Sequence, residues 1–480
     1  MRNIHPLTLC VALLAVAFAC GCRQDRLNTD PSCALRFSAD TLRFDTLFAE
    51  TGSATRVLKV YNDYSNRLEI SSVTLRGSGF RANVDGMAAD SCGPVYLNAR
   101  DSMYVYVQTW VENTESTEVS RVTGALVFRL NGNEQSVTLE SWGRSARRQG
   151  PQLLTSDTEW TGDLPYLVLD TVSVAEGATL TIGEGVTVYF ASRGGLRVYG
   201  SLVCEGTPER PVTLRGDRDD NMNTTPPLPY DLAPGQWKGV TLRSAAESRL
   251  AWTDLRNSST GVTFDTVPGG GGTLTLDHCR LGNTTGSALT QRGGTLRLLN
   301  CLLYNAGGNA LNVERGSCEM THCTVADYYS FSWSARSGSA ARLANYTLSE
   351  NGSAEPSDVY FRARNSIICG SWLTELAVDQ LNAGGALDYG FSHCFINKRF
   401  SSAVPSNYVS CAFNGLPCFE FQTWADGDRP FVYDFHLTEG SAAIGQASRS
   451  VAESCPIDLD GYDRMSSTSG SYDMGCYAYR

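Results

Sequence analysis

Cys279, Cys301 and Cys323 stand 22 residues apart, and their surroundings repeat with them. With a small residue as position zero, the series runs Thr253, Cys279, Cys301, Cys323, Ser366, Cys394 and Cys411. Two residues later come Leu255, Leu281, Leu303, Val325, Ile368, Ile396 and Phe413. Three residues earlier come Leu250, Leu276, Leu298, Met320, Ala363, Phe391 and Tyr408. Every row is apolar or small, and the segments around them read as short strands broken by glycine turns, with no helical period between them. Parallel strands without intervening helices require a solenoid, in which each turn buries its neighbour. Equivalent residues then stack in rows about 4.8 Å apart inside a narrow core. The step from Cys323 to Ser366 is 43 residues, long enough to hide one extra coil or a long loop around 337–357.

The same pattern starts earlier, in Gly177-Ala178-Thr179-Leu180-Thr181-Ile182, Gly185-Val186-Thr187-Val188-Tyr189-Phe190 and Gly195-Leu196-Arg197-Val198. Four residues after position zero stand Asn257, Asn283, Asn305 and Asp327. That row resembles the asparagine ladder of parallel β-helices, where stacked amides bond one another and cap a turn; ordinary turn asparagine is the other reading. Asp434-Phe435-His436-Leu437, Gly440-Ser441-Ala442-Ala443-Ile444-Gly445, Asp458-Leu459-Asp460-Gly461 and Asp473-Met474-Gly475-Cys476-Tyr477 resemble the closing pattern of the same proteins. That pattern usually has proline where Ala442 stands and alanine where Cys476 stands. The resemblance covers roughly the last two-thirds of the chain. It implies a right-handed parallel β-helix of the pectate-lyase-like superfamily over 158–437, with 438–480 capping the last coil against edge pairing. It carries no recognised catalytic motif.

The first third reads differently. Residues 34–146 hold short alternating strands, among them Tyr104-Val105-Tyr106-Val107 and a turn at Asn131-Gly132-Asn133, which suggest an immunoglobulin-like β-sandwich. Phe44-Asp45-Thr46-Leu47-Phe48 and Val60-Tyr61-Asn62 resemble the Ig-like modules placed before repeat domains in exported bacterial proteins. The chain is thus expected to be all-β, with a linker over 147–157. Ahead of the sandwich, Arg2 and the apolar run Leu7 to Ala19 read as an export signal within 1–22. The ending Ala19-Cys20-Gly21-Cys22 resembles a bacterial lipobox, which implies lipid attachment at Cys22, or at Cys20, followed by a tether over 23–33. An outer-membrane lipoprotein of the cell envelope is the expectation.

Downstream of Cys22 thirteen cysteines remain, an odd number. Cys33 with Cys92 and Cys455 with Cys476 are candidate bridges. The periodic cysteines are better read as an interior row, because cysteine is small and weakly polar and parallel strands meet disulfide geometry poorly. His278, His322 and His393 each precede position zero, but Trp252, Asn300, Asn365 and Ser410 fill the same slot on other coils. They are corner residues rather than zinc ligands.

The net charge of −11 and only three lysines (Lys59, Lys238 and Lys398) exclude a nucleic-acid partner. No stretch beyond the first twenty-odd residues is apolar long enough to span a bilayer. Lyases of the β-helix superfamily hold calcium with carboxylates beside a proton-abstracting base, and its hydrolases cluster aspartates. Neither constellation is visible. The best acidic cluster, Asp217-Arg218-Asp219-Asp220, opens a long loop to Trp237 and offers calcium only as a lesser reading. No other cofactor is expected. If Phe264, Leu289 and Leu311 point inward, Asp265, Arg292 and Glu314 face outward on successive coils. The next coil brings Tyr328, Tyr329, Phe331 and Trp333. Asp265, Arg292, Glu314, Tyr329 and Trp333 are therefore the expected glycan-binding residues, against a plain charge ladder. The expected function is a non-enzymatic surface module for glycan binding, adhesion or scaffolding; the alternative is a divergent polysaccharide lyase or glycoside hydrolase.

Overall fold

The computed structural model describes residues 26–89, 92–224, 227–266, 270–330, 335–349, 351–413, 415, 419–421, 433–466 and 471–480. The expected export signal, with Cys20 and Cys22, lies outside them, as does Trp333. The chain divides into two units, 1–145 and 146–480.

In the first unit, two five-stranded sheets share one core. Alternation decides which side chains enter it. In Ser102–Thr109, Met103, Val105 and Val107 are buried while Tyr104 and Tyr106 are exposed. Leu126, Phe128, Val137 and Leu139 of the long hairpin Ser120–Leu130/Asn133–Arg144 meet them. The strand Thr41–Phe48 pairs in parallel with Asn133–Arg144.

The second unit is the expected parallel β-helix, with three faces. The first face runs through eleven strands from Arg147–Gln149 to Ala412–Phe413. The second begins at Gln152–Leu154 and the third at Thr158–Trp160. These two merge into one seventeen-stranded sheet because Leu289–Leu299 and Leu311–Thr321 run unbroken across the bend between them. Glycine permits that bend: Gly293, Gly294 and Gly316 have φ of 129°, 62° and 106°.

All seven repeats expected from the sequence are in register. Leu255, Leu281, Leu303, Val325, Ile368, Ile396 and Phe413 pair in that order on the first face. Leu250, Leu276, Leu298, Met320, Ala363, Phe391 and Tyr408 do so on the third. All but Phe413 are buried, and each large one contributes about 1.5–3 kcal/mol by leaving water. Cys279, Cys301, Cys323 and Cys394 are fully buried free thiols. Aromatic rings close the ends of the core: Trp160 stacks on Tyr166 at 4.9 Å in the first coil, and Phe391 on Tyr408 at 5.0 Å in the last.

The residue before each position zero turns the chain from the third face to the first. Trp252, His278, Asn300, His322, Asn365, His393 and Ser410 all have φ between 43° and 55°. The left-handed region is costly for most side chains and favours asparagine and histidine several-fold, which accounts for the recurring histidines. Asn257, Asn283 and Asn305 sit at the next corner with φ of 67°, 52° and 46°. They form a buried row, but their amides do not bond one another. Asn257 and Asn283 donate to carbonyls of the 231–233 loop, and Asn305 accepts from Tyr328 N.

Several expectations need correction. Thr324–Asp327 pairs directly with Ile367–Gly370, so no extra coil lies between Cys323 and Ser366. The added residues form a corner insertion after Asp327 and the hairpin Tyr346–Leu348/Ala354–Pro356. Within the expected linker, Arg147–Gln149 and Gln152–Leu154 are strands of the first coil. The described part of 438–480 lies along the flank of the first face and reaches Ala412 of its last strand. The outward row there passes from Thr187, Thr213, Asp254 and Arg280 to Leu302, Thr324, Ile367 and Phe395. That apolar half is buried by Phe435, Leu437, Leu459, Met474 and Tyr477. Polar anchors complete the cover: Arg464 donates to Asn300 Oδ1 at 2.8 Å, and Cys476 N to Thr324 Oγ1 at 3.1 Å. The fully buried Asp458 accepts three backbone N–H groups within that segment. Cys33, Cys92, Cys455 and Cys476 are free thiols, so neither candidate bridge is present.

Candidate functional site

Outward parity on the second face produces two parallel rows. One pairs Arg197, Thr241, Thr263, Thr290, Asn312 and Arg342 in succession. Five coil steps of about 4.8 Å make this row roughly 24 Å long. The other row lies two residues further along each strand. Tyr199 and Arg243 follow the paired Val198 and Leu242, and Asp265 pairs with Arg292 on the next coils. Tyr199 is 38% exposed, and among the described residues Arg197 has no carboxylate partner. Arg243 lies 3.7 Å from Asp265. The first half of this ribbon is open to solvent and offers a phenol ring, hydroxyls and guanidinium groups.

The second half is closed by its own contacts. Glu314 is an extra residue in the strand: Gln291 pairs with Val313 but Arg292 with Arg315, a bulge that turns Glu314 back along the face. Its carboxylate accepts from Arg292 Nε at 2.7 Å, Asn312 Nδ2 at 3.0 Å and Arg342 at 3.2 Å. Arg342 also binds Asp379 at 2.7 Å and Tyr346 Oη at 3.0 Å. Arg315 bridges the carbonyls of Thr266 and Arg292, each at 2.6 Å. Asp265, Arg292 and Glu314 thus share one face, as expected, but as part of a satisfied charge ladder. Tyr329 does not join them. It is 4% exposed, with its ring against Gly307. Tyr199, which sequence reading passed over, is the exposed ring of this face; its signal was simple alternation from the inward Leu196 and Val198.

The acidic loop folds over the corner just ahead of the ribbon. Asp219 lies 2.6 Å from Arg215, and Asp220 pairs with Arg218, whose guanidinium sits 3.8 Å above the Tyr230 ring. Asp231 binds Arg215 and Arg256, each at 3.0 Å. Asp217, Arg218, Tyr230, Gln236 and Ser192 line a cavity of about 500 Å³, where burial holds the Asp217 carboxyl above its usual range. The carboxylates of this loop face arginines rather than a common point. Among the described residues no three His, Cys, Asp or Glu side chains converge as metal ligands.

Two further clusters were not legible in the sequence. Arg336, from the corner insertion, lies 3.1 Å from Asp327 and pairs with Glu375, and all three side chains are inaccessible. Burial pushes the Asp327 carboxyl up to about 7, although Arg336 opposes it. Asp327 occupies the asparagine row, and Arg336, 9 residues on, also donates to its backbone carbonyl at 2.8 Å. On the flank, His436 bridges Asp434 at 2.6 Å and Asp460 at 2.8 Å while lying 4.0 Å from the Tyr477 ring centre. Although burial disfavours the imidazolium, the two carboxylates outweigh it and raise its pKa.

No protein-family model matches the chain. A stretch of 125 residues is 34% identical to protein bark beetle of Drosophila melanogaster, covering 24% of this chain and 4% of that protein. The chain therefore spans only a small fraction of that relative's length. Among solved structures, the pectate lyase Pel9A aligns with 70% of this chain and 88% of its own, at 10% identity and a TM-score of 0.33. A PapD-like domain of human CEP192 aligns over 24% of this chain and 91% of its own, at 9% identity and a TM-score of 0.17.

Proposed function

We propose that this chain is an exported, lipid-anchored envelope protein whose β-helix binds an extended acidic glycan along its second face without altering it. The observation that carries the reading is the outward register of Arg197, Tyr199, Thr241, Arg243, Thr263 and Asp265 on consecutive coils. Sugar faces stack on a phenol ring, hydroxyls bond threonine and aspartate, and guanidinium groups recognise carboxylates. Arg197, exposed and without a carboxylate partner among the described residues, favours an anionic polymer over a neutral one. The coil spacing repeats these contacts along a linear chain. The buried acids Asp327 and Glu375 are out of reach of a substrate, which supports binding rather than cleavage.

The test is retention of the full chain in gels containing polygalacturonate, alginate or neutral dextran. A Tyr199→Ala/Arg197→Ala variant should lose about tenfold or more in affinity for the uronate polymers, at unchanged melting temperature, as for removal of interface anchors. Equal retention on dextran would overturn the anionic assignment. Release of unsaturated or reducing-end products by the parent chain would replace it with the lyase or hydrolase alternative.

A further inference from the structure

The outer face of one sheet in the first unit carries an aromatic surface that the helix reading does not use. On it, Lys59 pairs with Tyr104, Val57 with Tyr106 and Tyr61 with Ser102 across two antiparallel strands. Asn83 and Arg81, from the next strand, pair with Tyr106 and Gln108. Tyr104, Tyr106 and Val57 are 48%, 46% and 45% exposed, with the two tyrosine rings stacked at 6.4 Å. The strand period makes these residues neighbours on one side of the sheet, while Val105 and Val107 point into the core.

Two cations on this face, Lys59 and Arg81, lie against rings. Lys59 Nζ lies 5.1 Å from the Tyr61 ring and 5.4 Å from Tyr104. Arg81 lies 4.5 Å from the Trp110 ring. Among the described residues neither has an ion pair, whereas Arg36, at the far edge of the same face, is neutralised by Asp63 at 2.6 Å. Beside Arg81 a cleft of about 230 Å³ opens between Gly52, Ser53, Gln108 and Trp110. Exposed apolar rings on a soluble sheet mark interaction sites. Here they come with two unpaired cations and amide groups, on a strongly acidic chain.

We infer that this sheet face is a second, separate binding site for an acidic glycan. Tyr104 and Tyr106 form its platform, Lys59 and Arg81 its carboxylate contacts, and the Trp110 cleft holds a sugar unit at one end. Flat rings flanked by amides match alternating CH faces and hydroxyls; the cations select uronate carboxylates. An acidic peptide would use the cations but not the continuous ring surface.

The inference stands or falls apart from the helix ribbon if the full chain first carries Tyr199→Ala/Arg197→Ala. In that background, a residual retention by polygalacturonate, about tenfold or more weaker than that of the parent chain, should persist. Adding Tyr104→Ala/Tyr106→Ala, or Lys59→Gln alone, should weaken it by about fivefold or more, as for desolvated ring and cation contacts. Melting temperatures should be unchanged, because all three side chains face solvent. No retention in the ribbon-disabled background, or retention indifferent to the sheet substitutions, would overturn the second site while leaving the ribbon intact. Retention by poly-glutamate equal to that by polygalacturonate would make it an acidic-peptide site and also overturn the inference.

Discussion

Glu314 Oε2 accepts a 2.7 Å bond from Arg292 Nε, while its other oxygen lies 3.2 Å from Arg342 on the following coil. One carboxylate, displaced by a bulge and only 7% exposed, therefore serves two guanidinium groups. This contact separates the closed half of the second face from its open half, and it explains why Arg292 is a stabilising residue more than a free ligand. Glu314→Gln should lower stability by about 1–3 kcal/mol, the range for losing hydrogen bonds to charged groups. The same substitution should tighten retention on polygalacturonate, because it releases Arg292, whose ion pair is with Glu314. Thermal unfolding and affinity gels on one variant read both effects.

The interior cysteine row makes a second prediction. Burial holds the thiols of Cys279 and Cys301 well above their usual pKa, so a thiol reagent should leave them unmodified until the chain unfolds. Cys301→Arg should destabilise the helix by several kcal/mol, about 3–5 by analogy with an unpaired buried charge. Cys301→Ala should cost far less. Rapid labelling of the native chain at these positions would contradict the register.

Asp327 predicts a pH dependence whose sign follows from proton binding. Its carboxyl is pushed up to about 7 in the folded chain, against about 3.9 when unfolded. Between those values the native state holds a proton that the unfolded state has released. Stability should therefore fall as pH rises from about 4 to 7. Asp327→Asn, which restores the row of Asn257, Asn283 and Asn305, should flatten this slope. Melting temperatures across the range for both proteins provide the check.

His436 acts in the next window. Its pKa is raised by Asp460 and Asp434 against the cost of burial. The stabilisation is fully present below the unfolded value of about 6.5 and is lost as pH rises through the higher folded value. His436→Gln should remove that loss and loosen the cover on the first face at low pH. Hydrogen exchange in 434–437 and 458–463, followed against pH, would show it; exchange insensitive to pH in the parent would count against the clamp.

Much of the fold was legible because it depends on local periodicity. Position zero, the apolar rows on either side and the left-handed corners each need only the side-chain types at fixed spacing, and seven coils repeated them. Sandwich and helix separated on the same ground. Tyr199 is legible from alternation alone, since Leu196 and Val198 point inward on the same strand. Other features had no local signal. Glu314 stayed on its expected face but became a bulge residue, so that Arg315 rather than Glu314 pairs with Arg292. Arg336 met Asp327 and Glu375 across the corner, and Tyr329 came to lie against Gly307, neither of which has a local signal. The C-terminal segment reads as a closing cap, yet it lies along a flank because the outward row turns apolar at Leu302, Ile367 and Phe395. Sequence alone determined the coil, since a repeat encodes contacts between equivalent residues. Tertiary structure decided which polar groups were left open, since that depends on where distant, non-repeating segments come to rest.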